Sequence, residues 1–155
     1  MDNFNTTPLT HLAGTFCKCM DIEPPKFATN SIDELADYII SNSTNGKVDR
    51  VIMYNPDAIS DYIFNTYADK FTKVKEHLSY VQPMLSMMPP KTPVCFASIY
   101  SGATPAEHGI TKYTKPVLTI DTIFDALIRA GKKPCIVSVV DQSMDKIFRG
   151  RDMDY

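Results

Sequence analysis

"TIDTIFDALIRAGKKPCIVSVV", Thr119 to Val140, holds two patterns in succession. Its first half places Ile120, Ile123, Phe124, Leu127 and Ile128 on one face of a helix, with Gly131 standing where a left-handed residue ends it. Its second half, Cys135 to Val140, is a continuous apolar run rich in β-branched residues. That is the pattern of a strand covered on both faces. A helix that feeds such a strand is half of a parallel β-α-β unit.

The pattern recurs upstream. "RVIMY", Arg50 to Tyr54, is a short apolar run between turn signals and reads as a second buried strand. Before it, "SIDELADYIISNS" sets Ser31 and Glu34 at capping-box spacing ahead of Ile32, Leu35, Ala36, Ile39 and Ile40 on one helical face. After it, Ile63, Tyr67, Phe71, Val74 and Leu78 predict a helix over about Ile59 to Leu78. Pro8 to Met20 is compatible with a helix, and "SMDKIFRG" with a helical fragment. Strands alternating with amphipathic helices predict one α/β domain over residues 1–155, a mostly parallel sheet flanked by helices on both faces.

Composition narrows the function. The chain has 155 residues, 44% hydrophobic and 22% charged, which suits a globular domain. A net charge of −2 offers no basic field to nucleic acid or to an anionic membrane. No apolar run reaches the ~18 residues of a membrane span. "MDNFNTTPLTHLAG" lacks the basic and apolar regions of a signal peptide, so the expected location is the cytoplasm, with the four cysteines reduced. Cys17 and Cys19 form a C-x-C without a second pair at zinc-site spacing and read as small buried hydrophobes.

In open parallel sheets ligands collect beyond the carboxyl ends of strands. Asp57 follows the Arg50–Tyr54 run, and Asp141 follows Cys135–Val140. Each reads equally as a cap of the next helix. In "KTPVCFASIYSG", Thr92 precedes Pro93, which places Thr92 at an N-cap and a helix over Pro93 to Ser101, ending at Gly102. Free N–H groups and the helix dipole would surround the Thr92 hydroxyl with positive potential, suited to a phosphate. A plain cap with no chemistry is the competing reading. Thr is a weak nucleophile without a base or a metal, and Asp57 is the candidate metal ligand.

"VIMYNPDAISDYI", followed by "KTPVCFASIYSGATPAEHGI", resembles the N-terminal part of the alkaline phosphatase superfamily, in its type I phosphodiesterase/nucleotide pyrophosphatase branch. The likeness runs from about Val51 to Val140 and rests chiefly on "SGATPAEHGI", with Ser101 where Thr is common. The resemblance implies hydrolysis of phosphate mono- or diesters. Thr92 would be the catalytic nucleophile and a metal ligand, and Asp57 a second ligand, at a site holding two divalent ions, commonly zinc. His108 and Gly109 would shape the loop behind the site. Ala58 stands where the family pattern usually has Gly.

The same resemblance places most of the metal ligands in the second half of a longer chain. Nothing after Val140 matches them, and His11 and His77 are the remaining histidines. One Asp and one Thr fall short of the three protein ligands usual for catalytic zinc. The expectation is therefore the N-terminal portion of a hydrolase, inactive in isolation. The alternative is a non-catalytic binding or assembly module that keeps an anion pocket at Thr92. Under both, a small phosphate ester is the expected ligand, and an open sheet edge predicts a homodimer.

Overall fold

The computed structural model describes residues 7–154. The chain divides into two compact units, Met1–Val51 with Met84–Tyr155, and Ile52–Pro83.

The larger unit is built on helices. α1 (His11–Met20) buries Ala13, Thr15, Cys17, Cys19 and Met20. α2 (Asp33–Ser41) packs on it through Ala36. Thr15 joins the two, because its hydroxyl donates to His11 O (2.8 Å) and accepts from the Ile32 N–H (2.9 Å). Ser31 does not form a capping box with Glu34; its hydroxyl donates to Asp33 (2.6 Å), and Ile32 stands at the cap. In the smaller unit lie α3 (Asp61–Thr66), a 3-10 turn (Ala68–Phe71) and α4 (Thr72–Lys75). None of these pieces holds a buried residue. The single helix expected over Ile59 to Leu78 is thus broken, since short helices without a packed face gain little in water.

The larger unit continues with α5 (Thr92–Ser101), α6 (Pro105–His108), α7 (Ile123–Arg129) and α8 (Ser143–Phe148). α5 is the centre of this core, with α1, α6, α7 and α8 packed on it. Tyr100, Phe124 and Phe148, one each from α5, α7 and α8, meet with ring centroids 5.0–5.2 Å apart. Edge-to-face and offset contacts of this kind add to the burial of large rings. Val94, Ala97 and Ile147 of the same helices are fully buried.

Arg151 closes the unit. Its guanidinium donates to the carbonyls of Leu118 (3.0 Å) and Ile120 (2.9 Å), to the Thr122 hydroxyl (3.1 Å) and to Asp125 (3.1 Å). Asp125 also accepts from the N–H and the hydroxyl of Thr122 at the start of α7. Burial raises the proton affinity of the Asp125 carboxyl, but Thr122 and Arg151 outweigh it and hold the group below the usual range.

The parallel sheet predicted from the sequence is not present. Among the described residues there is no strand, only two isolated parallel bridges, Pro8 to Leu85 and Cys135 to Asp154. Neither apolar run is covered along its length: Ile52 is 89% exposed and Val137 95%, although Ile136 is buried. A strand requires a neighbouring backbone to complete its ladder; among the described residues the Cys135–Val140 run has only the single bridge to Asp154, and the Arg50–Tyr54 run has no bridge. The α/β assignment is therefore corrected to a helical framework in which both strand-like runs lie open. No helix of the described residues is long and apolar enough to cross a membrane.

Phe148 is fully buried in the aromatic cluster, so Phe148→Ala should cost about 3–5 kcal/mol of stability by urea denaturation. Phe96→Ala, at a half-buried position of the same helix system, should cost clearly less. Equal losses at the two positions would mean that the cluster is not the core.

Candidate functional site

The start of α5 is set by a Pro near its N-terminus. Lys91 is extended (φ −112°, ψ 140°) and occupies the cap, with no side-chain hydrogen bond there. Thr92 is therefore the first helical residue, one position later than the N-cap expected from sequence. The reason is that Pro is accepted throughout the first turn, where its missing N–H has no partner to lose. The first backbone bond of the turn runs from the Cys95 N–H to Lys91 O (2.9 Å). Thr92 is half-buried, and its hydroxyl has no hydrogen-bond partner among the described residues. Unclaimed N–H groups and an unclaimed hydroxyl thus share the positive end of a ten-residue helix.

The far end of α5 is held by the residues of the "SGATPAEHGI" element. Gly102 ends the helix in the left-handed region (φ 74°), and a Cβ there would lie 2.4 Å from Ala28 Cα. No larger residue fits without moving backbone. Ser101 is buried; its hydroxyl donates to Ala97 O (2.6 Å) and accepts from the Ala103 N–H (3.1 Å). Glu107 accepts from the N–H and hydroxyl of Thr104 (2.7 and 2.8 Å), which starts α6 and holds the Glu107 carboxyl below its usual range.

His108 completes this brace. Gly109 follows it in the left-handed region (φ 78°), which turns the chain so that the Ile110 N–H donates to His108 Nδ1 (3.1 Å). Nδ1 is thereby an acceptor, so the ring proton sits on Nε2. Nε2 lies 3.1 Å from Ser98 Oγ on α5, and the imidazole donates to that hydroxyl. Burial pushes His108 below the ordinary histidine value and keeps the ring neutral. A Ser–His pair in this protonation state cannot serve as nucleophile and base, because the nitrogen facing the hydroxyl already carries its proton. The pair ties α6 to α5. Ser98 carries no sequence signal for this role, since its partner lies ten residues on, across a turn.

Asp57 belongs to the Ile52–Pro83 unit, whereas Thr92 belongs to the larger one. The Asp57 carboxylate is exposed and accepts from the Ala58 N–H (2.9 Å). It does not cap the following helix; Ser60 does, accepting from the Ile63 N–H (3.2 Å). Ala58 takes a positive φ of 58°, the conformation that Gly adopts most readily, so the Gly of the family pattern has a physical reason. Asp141 is ion-paired with Lys146 (3.3 Å) and Arg149 (3.5 Å).

Among the described residues no three His, Cys, Asp or Glu side chains cluster as a metal site. Cys17 and Cys19 are buried, and burial pushes the Cys17 thiol up to about 12 and raises that of Cys19, so neither supplies a thiolate. One carboxylate and one hydroxyl, from Asp57 and Thr92, do not complete the three protein ligands of a catalytic zinc site.

The family model for type I phosphodiesterase / nucleotide pyrophosphatase matches residues 28–124, more than half of the chain. The match begins at Ala28, the residue on which Gly102 packs, and takes in all of α5 and α6. Comparison with curated proteins and with solved structures gave no match.

The His108 brace carries a pH signature. Its proton affinity is lower folded than unfolded, so below the ordinary value of about 6.5 the unfolded chain binds more protons. Stability from this group is present above about pH 6.5 and is lost as the pH falls through it. Urea midpoints should drop between about pH 7 and pH 5 in the parent and drop less in His108→Gln, which keeps a donor without the charge change. Parallel pH profiles would show that His108 is not buried neutral.

Proposed function

Because the chain belongs to the type I phosphodiesterase / nucleotide pyrophosphatase family, we propose that it supplies the nucleophile-bearing part of a metal-dependent phosphate-ester hydrolase and is inactive by itself. Thr92 is the nucleophile in this reading, and Asp57 and Thr92 are ligands of a divalent cation, with zinc the family's usual choice. One observation carries it: the unclaimed, half-buried Thr92 hydroxyl in the first turn of α5, within the segment matched by the family.

The chemistry follows from that placement. The N-terminal end of a helix favours negative charge, so the N–H groups near Thr92 suit the non-bridging oxygens of a phosphate. A bond forms from Thr92 Oγ to phosphorus, the ester P–O bond breaks, and the alcohol leaves. Water then releases phosphate from the threonine. The hydroxyl must first lose its proton, and Ser98–His108 does not accept it, for the reason of tautomer given above. Activation thus requires groups beyond this pair. Asp57 and Thr92 do not make a metal centre alone, so the reading requires further ligands beside them.

Two measurements test the reading. Zinc or manganese titration by calorimetry should give weak binding in the parent and at least several-fold weaker binding in Asp57→Ala and in Thr92→Ala. Equal affinity in all three would reduce both residues to local structure, which favours the non-catalytic module. With a bis-aryl phosphate and added metal, the parent should show no turnover above buffer. Turnover that disappears in Thr92→Ala would correct the inactivity while keeping the nucleophile; turnover that persists would remove Thr92 from the chemistry.

A further inference from the structure

The loop that follows α2 leaves one asparagine chemically open. Asn45 and Gly46 are both exposed, and neither the Asn45 side chain nor the Gly46 N–H has a hydrogen-bond partner among the described residues. Gly46 takes a positive φ of 67°, and nothing lies within 4 Å of the position where a Cβ would stand. The other described asparagines are held or blocked. Asn42 donates a side-chain N–H to Tyr38 O (2.8 Å), and the N–H that follows it, of Ser43, donates to Ile40 O (3.1 Å). Asn65 lies inside α3 and donates to Asp61 (3.0 Å). Asn55 is followed by Pro56, which has no N–H. The Asn30 carbonyl packs so closely on Gly14 of α1 that a Cβ there would lie 2.2 Å from its oxygen.

We infer that Asn45 is a site of spontaneous deamidation, with the Gly46 backbone nitrogen as the nucleophile. That nitrogen gives up its proton to hydroxide and attacks the carbonyl carbon of the Asn45 side chain. The new C–N bond closes a five-membered imide, and Nδ2 takes a proton from water and leaves as ammonia. Water then opens the imide at either of its carbonyls. One opening gives aspartate at position 45; the other gives isoaspartate, with the backbone rerouted through the side-chain carboxyl. Glycine suits the step because no Cβ crowds the attacking nitrogen. An N–H without a partner can lose its proton, whereas one engaged with a carbonyl, as at Ser43, is held. Each conversion replaces a neutral amide with a carboxylate, so the net charge falls by one from −2. The altered backbone lies between the end of α2 and Val48, whose N–H ties this loop to Cys19 O of α1 (2.8 Å).

The inference is independent of the hydrolase reading, because it uses no residue of the Thr92 site. Folded protein held for days at mildly alkaline pH, then digested and mapped by mass spectrometry, should convert at Asn45 several-fold faster than at Asn30, Asn42, Asn55 or Asn65. Aspartate and isoaspartate forms of the Asn45 peptide should both appear, resolved by chromatography, because the imide opens at two carbonyls. Gly46→Ala should slow the conversion several-fold with unchanged far-ultraviolet circular dichroism. Asn45→Gln should remove the corresponding acidic species on ion exchange. In urea the Asn42 rate should rise several-fold while the Asn45 rate stays near its folded value, since folding engages the first site and leaves the second open. Conversion at Asn30 or Asn42 ahead of Asn45 in the folded protein overturns the inference. So does an Asn45 rate that rises in urea as much as that of Asn42. An unchanged rate in Gly46→Ala, or aspartate without isoaspartate, overturns the attack by the Gly46 nitrogen.

Discussion

The close approach of Gly102 to Ala28 is the constraint on which the larger unit depends. It sets the end of α5 against the segment between α1 and α2, and the left-handed turn it makes directs the chain into α6. From there His108 reaches back to Ser98, and the Ile110 N–H fixes the ring. α5 is thus gripped along one side by the loop that follows it, while its other side carries Tyr100 into the aromatic cluster with Phe124 and Phe148. A helix held at its end and along both sides presents its first turn in a fixed position, and that turn holds Thr92.

This arrangement gives physical content to the family motif. Gly102 is needed for lack of space, Gly109 for its positive φ, and Glu107 to satisfy the start of α6. His108 has the appearance of a catalytic residue beside a serine, yet its Nδ1 accepts from the Ile110 N–H, which places the ring proton on Nε2, and burial lowers its proton affinity. The element positions α5 rather than performing chemistry. The functional weight then falls on the opposite end of α5, where hydrogen-bonding capacity is left unclaimed.

Helices were legible where a buried stripe and a stop signal coincide. Ile123, Phe124 and Ala126 are buried in α7, and Gly131 follows in the left-handed region, as the pattern suggests. The end of α5 at Gly102 was legible for the same reason. The error at Thr92 was a single position, because a Pro in the first turn does not distinguish its first place from its second. The strands failed for a different reason. An apolar run such as Cys135–Val140 records what a segment would gain by burial, but not whether a neighbouring backbone is there to pair with it, and here Val137 and Val140 stand exposed. The helix expected over Ile59 to Leu78 failed because a spacing of three and four promises an apolar face, and here Tyr67, Val74 and Leu78 of that face stand exposed.

The brace between α6 and α5 requires a neutral His108 with its proton on Nε2. Nitrogen-detected magnetic resonance of the imidazole at neutral pH tests it directly. The expected result is a bare Nδ1 and a protonated Nε2, with the ring still uncharged at a pH where an ordinary histidine has begun to take up a second proton. A proton on Nδ1, or a cationic ring at neutral pH, would contradict the account and return Ser98–His108 to the list of catalytic candidates.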